Sequence, residues 1–138
     1  IMRTPRLYRE EHDAVDRGMA LLEFVGIGAR AAEKASNLPY GDQRRLEIAR
    51  ALATEPKLLC LDEPAAGVPE AERRELLDTL AALPRDVSIL LIEHDMDAVF
   101  ALSDRISVLV YGRLIATGTG EAIRADRQVR SAYLGEDA

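Results

Sequence analysis

The chain of 138 residues carries 18 Lys and Arg against 24 Asp and Glu, a net charge of −6, and is 48% hydrophobic. That length and apolar fraction can supply one buried core, and the acidic balance argues against a nucleic-acid surface, where lysine and arginine neutralise the phosphates. No stretch approaches the roughly 18 consecutive apolar residues of a membrane span, nothing has the pattern of a signal peptide, and the lone Cys60 has no partner for an internal disulfide. A reducing, cytosolic setting fits, with any membrane contact made through a partner. Cys60 sits within an apolar run and is expected to be a buried small hydrophobe.

From His12 to Phe24, apolar residues fall at Val15, Met19 and Leu22, a 3.6-residue period that predicts an amphipathic helix ended by Gly26-Ile27-Gly28. His12 reads as a solvated residue on it. Arg30 to Ser36 is short and rich in alanine and charge. A second helix is predicted over 41–53, with Leu46, Ala49, Leu52 and Ala53 on its core face, Arg44, Arg45, Glu47 and Arg50 mostly on others, and Pro56 as its stop. Strand 57–62 follows. The next helix begins near Glu70 and Glu72, whose acids suit the positive end of a helix dipole, and turns Leu76, Leu77, Leu80 and Leu83 inward. Strand 87–92, a helix through Met96 to Leu102 and strand 105–110 complete two successive β-α-β steps, which imply parallel strands with right-handed crossovers. Ile106 to Val110 and Leu114 to Thr117 flank Tyr111-Gly112-Arg113 and read as an antiparallel hairpin. Two short helical patterns close the chain. The basic clusters Arg44-Arg45 and Arg124 to Arg130 are interleaved with acids and read as solvated helix faces.

Leu58-Leu59-Cys60-Leu61-Asp62-Glu63-Pro64 carries the most chemistry: an apolar run that ends in two carboxylates and a proline. It reads as a buried parallel strand, and ligand chemistry in open α/β sheets collects at the carboxyl ends of strands. A carboxylate there can hold Mg²⁺ with waters between, which makes Asp62 the metal candidate. Taken alone, the two acids could equally cap a turn before Pro64. His94 follows the second apolar run between Glu93 and Asp95. It can donate to a phosphate or hold a water, or it can cap the helix that starts near Asp95. Upstream, Leu38-Pro39-Tyr40-Gly41-Asp42-Gln43-Arg44-Arg45 opens a helix whose first N–H groups can bind phosphate without lysine.

In this order the parts resemble the second half of the nucleotide-binding subunit of an ABC transporter: signature motif, Walker B strand, D-loop, switch histidine. Tyr40-Gly41, the run Arg44 to Leu52, Ala65-Ala66-Gly67, Ile92 to Met96 and the tail Ala132 to Glu136 are similar to the branched-chain amino-acid uptake branch. The resemblance covers nearly the whole chain and implies an α/β fold. That fold is the C-terminal part of a P-loop NTPase, a RecA-like parallel sheet with flanking helices, plus a remnant of the helical subdomain and a C-terminal antiparallel hairpin. The implied organisation is a helical remnant over 1–37, the signature and Walker B/switch part over 38–118, and a helical tail over 119–138 that packs on the sheet. It further implies ATP and Mg²⁺ as cofactors, with Asp62 as metal ligand, Glu63 as general base, His94 as the histidine that holds the attacking water, and Pro39, Tyr40, Gly41 and Asp42 presented to ATP on the opposite subunit. Implied partners are a second ATPase subunit in a head-to-tail dimer and transmembrane permease subunits, at the cytoplasmic face of the inner membrane.

Departures from the family pattern matter. No G-x-x-x-x-G-K-[ST] phosphate loop occurs in these residues, and the nearest stretch, Gly28 to Lys34, lacks the second glycine and the lysine in register. The chain is therefore expected to begin inside the helical subdomain and to be inactive alone, with a central strand left at an open edge. In the signature, Pro39 stands for the common serine, Tyr40 for the first glycine, and Asp42 would repel a nearby phosphate. In the D-loop Ala66-Gly67-Val68-Pro69, Pro69 holds a place that is often Asp or Asn, and as a proline it also suits the first position of a helix. Two other readings stand beside the ATPase: a truncated or degenerate homologue acting as a non-catalytic interaction module, and a small metal hydrolase built from Asp62, Glu63 and His94.

Overall fold

The computed structural model describes residues 5–134, which fall into two compact units that divide after Ile92. The tail expectations for 135–138 lie outside the described residues.

In the first unit, α1 spans Pro5–Phe24, about two turns longer at its start than the apolar period predicts. It stops where expected. Gly26, at φ +79°, lets Ile27 N–H reach the Leu22 carbonyl at 2.8 Å and its own N–H reach that of Glu23 at 3.0 Å, the paired bonds of a glycine-terminated helix. Met19 and Leu22 are half-buried, but Val15 is exposed. Two 3-10 turns, Gly28–Arg30 and Ala35–Asn37, lead to α2, Tyr40–Leu52. Then come β1, Leu58–Asp62, α3, Glu70–Ala81, and β2, Ser88–Ile92. β1 and β2 pair in parallel from Leu58↔Ser88 to Asp62↔Ile92, so the first β-α-β step forms as expected. The core here gathers Val25, Ile27, Leu38, Ile48, Ala49, Leu59, Leu76, Leu80 and Leu83; Leu77 is half-buried.

Three expectations fail in this unit. β1 is not buried on both faces: Leu59 is buried and Leu61 half-buried, while Leu58, Cys60 and, on β2, Leu90 and Ile92 are exposed. The register puts these four residues on one face of the two-stranded sheet, and no other described element of this unit covers it. Cys60 is therefore an exposed thiol. The inward face of α2 also differs, since Gly41, Arg45, Ile48 and Ala49 are buried whereas Leu46 and Leu52 are half-buried and Ala53 is exposed. Arg45, expected on a solvated face, is 8% exposed because its charge meets Glu75 of α3, which lets the long side chain enter the core.

The second unit holds α4, Met96–Leu102, β3, Ile106–Val110, β4, Arg113–Gly118, α5, Gly120–Ala125, and α6, Arg127–Val129, continued by a π-turn to Leu134. β3 pairs antiparallel with β4 as the hairpin pattern predicts, turning at Tyr111 and Gly112, both at positive φ (49° and 74°). The predicted second β-α-β step runs from one unit into the other; within the second unit β3 has β4 as its hydrogen-bonded neighbour. Ile106 and Val108 from β3 pack with Ile123 and Val129 from the closing helices, so the start of the tail packs on the hairpin as expected. Of the second basic cluster, Arg124 lies over the Phe100 ring, 3.9 Å from its centroid. No described helix is long and apolar enough to cross a membrane.

Candidate functional site

The N-terminus of α2 and the loop before α3 are built against each other. Both helices start from a proline N-cap, Pro39 and Pro69, with no side-chain cap bond. Their carbonyls receive the first helical N–H groups instead, Gln43 at 3.0 Å for Pro39, and Glu72 and Arg73 at 2.9 Å for Pro69. Pro69 is thus the residue before the helix rather than its first. Gly67 is at φ +72°, and the Tyr40 ring lies 3.3 Å from where a Cβ on it would be. A Cβ on Gly41 would run into the Glu72 carboxylate, with Val68 beside it. Two glycines therefore permit the contact between residues 40–41 and 67–72.

Charges at this helix start are paired. Asp42 is half-buried and accepts from Arg30 Nε at 2.9 Å, so its negative charge is compensated by an arginine 12 positions upstream. Arg44 donates from Nε and Nη2 to the Tyr40 hydroxyl at 3.0 and 2.6 Å and from Nη1 to Glu47 at 2.7 Å. The Glu47 bond first, then the Tyr40 bond, hold the Arg44 guanidinium above its ordinary pKa. The next residue, Arg45, reaches Glu75 at 2.5 Å, and its Nη1 lies 3.2 Å from the Cβ position of Gly26. The i, i+4 spacing of Tyr40 and Arg44 is a local signal for their contact. Nothing local signals the Arg30 or Glu75 partnerships.

The acid pair ends β1 as expected, and both acids are exposed. Asp62 is level with Ile92, and the Glu63 N–H donates to the Ile92 carbonyl at 2.9 Å. The Glu63 carbonyl receives Ala66 N–H at 3.0 Å, closing the turn through Pro64. Glu63 is at φ +44°, a left-handed conformation uncommon for a residue with a side chain and further disfavoured before proline. Two backbone bonds hold it there. A cleft of about 220 Å³ runs beside this strand end, between Arg44, Glu47 and Ala51 of α2 and Cys60, Leu61 and Asp62 of β1.

His94 is an exposed residue at the start of the second unit; its backbone N–H donates to the Glu93 carboxylate at 3.3 Å. It does not cap α4. That role belongs to Asp95, which accepts from Asp97 and Ala98 N–H at 3.0 and 3.3 Å. His12 is exposed and bonded to Asp16 at 3.0 Å, a solvated helix residue as read from sequence.

Asp62 offers one carboxylate at an open edge, which suits Mg²⁺, an ion bound through one or two carboxylates with waters and substrate phosphates completing its shell. Among the described residues no group of three His, Cys, Asp or Glu could hold a metal ion.

A parallel strand pair ending in Asp62-Glu63, a glycine-bearing helix start packed on the following loop, and a C-terminal hairpin are features of an ATP-binding cassette. The ABC transporter family matches residues 3–66, and the branched-chain amino acid ATP-binding cassette transporter family matches residues 113–138. A solved ATP-binding cassette of an ABC transporter in its ADP conformation superposes with a TM-score of 0.77 at 32% identity, covering 90% of this chain and 51% of that one. The chain belongs to the ABC transporter ATP-binding subunits, on a P-loop NTPase fold, and corresponds to part of one. Its curated relatives are of the branched-chain amino-acid type. It is 49% identical to the high-affinity branched-chain amino acid transport ATP-binding protein LivG of Escherichia coli, over 99% of this chain and 54% of LivG. It is 44% identical to BraF of Pseudomonas aeruginosa, a protein of the same description, over the same shares. The chain thus spans about half the length of the curated relatives it matches.

Proposed function

We propose that this chain supplies the signature, Walker B and switch part of the ATP-hydrolysing subunit of an ABC importer for branched-chain or related amino acids. The observation that carries this is the shared carboxyl edge of β1 and β2: Asp62 is level with Ile92, Glu63 is bonded to the Ile92 carbonyl, and Glu93-His94-Asp95 follow directly in the chain. Asp62 would hold Mg²⁺, which when bound neutralises charge on the phosphates. Glu63 takes the proton of the attacking water, and His94 helps hold that water by donating to the terminal phosphate. Residues Pro39 to Asp42 face ATP held by a second subunit in a head-to-tail dimer, and permease subunits make the membrane contact at the cytoplasmic face. The Arg30 partner supports this use of Asp42, because a neutralised carboxylate repels phosphate less.

These residues hold no phosphate loop, so on their own they turn over no MgATP. The test joins the chain to the phosphate-loop half of LivG. The joined protein is expected to hydrolyse MgATP, and Glu63→Gln is expected to lower kcat by about 10²–10⁴, the usual scale of general base catalysis, while leaving ATP bound. Turnover that survives Glu63→Gln would show that Glu63 is not the base. Mg²⁺-dependent hydrolysis by the chain alone, lost in Glu63→Gln, would refute its dependence on a phosphate loop. A second reading, a non-catalytic interaction module, is favoured by the missing loop and by Pro39; a joined protein that folds but never hydrolyses would select it.

A further inference from the structure

Pro39 gives the start of α2 neither a hydroxyl nor an N–H, and no side chain caps this helix. The next residue carries what is missing. Tyr40 is 45% exposed, and its hydroxyl oxygen accepts two N–H bonds from Arg44, at 3.0 Å from Nε and 2.6 Å from Nη2. A phenol oxygen has two lone pairs and one proton. With its accepting capacity taken by the guanidinium fork, the hydroxyl is left to donate, and among the described residues it meets no acceptor. The ring is fixed as well: it packs on Gly67, and the Arg44 guanidinium carbon lies 5.0 Å from its centroid. Arg44 is in turn anchored by Glu47 at 2.7 Å. A cation therefore holds and polarises the hydroxyl of the first residue of a 13-residue helix.

We propose that the Tyr40 hydroxyl is a hydrogen-bond donor to a nucleotide polyphosphate, taking the place of the hydroxyl that Pro39 lacks, and that Arg44 is the positioning residue that leaves its proton to the ligand. This deepens and rests on the reading that residues 39–42 face ATP. A hydrogen bond to a charged acceptor is stronger than a neutral one, and at a partly exposed site its loss corresponds to about tenfold in affinity.

The test follows the backbone amides of Tyr40 to Gln43 by NMR while the chain, joined to a phosphate-loop half so that a dimer can hold nucleotide, is titrated with MgATP and, separately, with inorganic pyrophosphate. Wild type is expected to give saturable shifts. Tyr40→Phe keeps the ring on Gly67 and removes only the hydroxyl; it is expected to bind about tenfold more weakly. Arg44→Lys keeps the charge and loses the fork, and is expected to weaken binding in Tyr40-containing protein but to add little to Tyr40→Phe. Wild-type affinity in Tyr40→Phe overturns the donor role while the proposed function stands. Additive losses in the double variant overturn the positioning role of Arg44. Failure of the wild-type amides to shift with either probe overturns both this inference and the assignment of residues 39–42 to ATP. Retained amide dispersion across residues 5–92 separates each result from loss of fold.

Discussion

Removing the carboxylate from Glu75 should cost more than removing the arginine it serves. Arg45 has a side chain 9% exposed and reaches Glu75 at 2.5 Å, whereas Glu75 is 67% exposed. With charge centres about 4 Å apart and an effective dielectric near 20, the attraction is about 4 kcal/mol. Solvent around the exposed glutamate reduces this to about 2 kcal/mol. Glu75→Ala leaves a guanidinium buried without its carboxylate and should lose about 2 kcal/mol, within the range for breaking buried pairs once that exposure is discounted. Arg45→Met keeps the apolar stem and removes the charge that must be desolvated, so it should cost under about 1 kcal/mol. In that background Glu75→Ala should be close to neutral, as for an ordinary surface substitution. Urea denaturation followed by circular dichroism, at protein concentrations low enough to exclude association, measures all three. A Glu75→Ala loss below about 0.5 kcal/mol, or a larger loss in Arg45→Met than in Glu75→Ala, would refute the role of the buried charge.

Two further outcomes follow from β1 and β2. The face carrying Leu58, Cys60, Leu90 and Ile92 is exposed, so the chain should self-associate through it, and sedimentation velocity should show Leu90→Glu shifting the population toward monomer; alkylation of Cys60 should slow as wild-type concentration rises. A wild-type chain that is monomeric at all concentrations would contradict this. Glu63 holds a left-handed conformation before Pro64, so Glu63→Gly should stabilise the chain by about 1 kcal/mol in denaturant titration. In the joined protein the same change should abolish hydrolysis. A destabilised Glu63→Gly would show that the side chain contributes more than the strain costs.

Much of the site was legible because its signals are local. Gly26 ends α1, Tyr111-Gly112 turns the hairpin, and an apolar run that stops at Asp62-Glu63 marks a strand end. Each depends on dihedral limits or on neighbours within a few residues, which sequence order specifies directly. The sense of a helix face is less local. Arg45 was assigned to solvent from its charge, yet its environment is set by Glu75, 30 positions away, and by the space over Gly26.

The amino-acid sequence by itself determined the order and type of the elements, the family, and the candidate acids and histidine, because periodicity, capping chemistry and motif spacing are properties of adjacent residues. Tertiary structure alone decided that Arg30 neutralises Asp42, that Tyr40 rests on Gly67 and takes two bonds from Arg44, and that Leu58, Cys60, Leu90 and Ile92 are exposed. Strand partners and distant ion pairs depend on which surfaces meet after folding. An apolar run can say that it prefers burial, but only the elements packed around it determine whether it is covered.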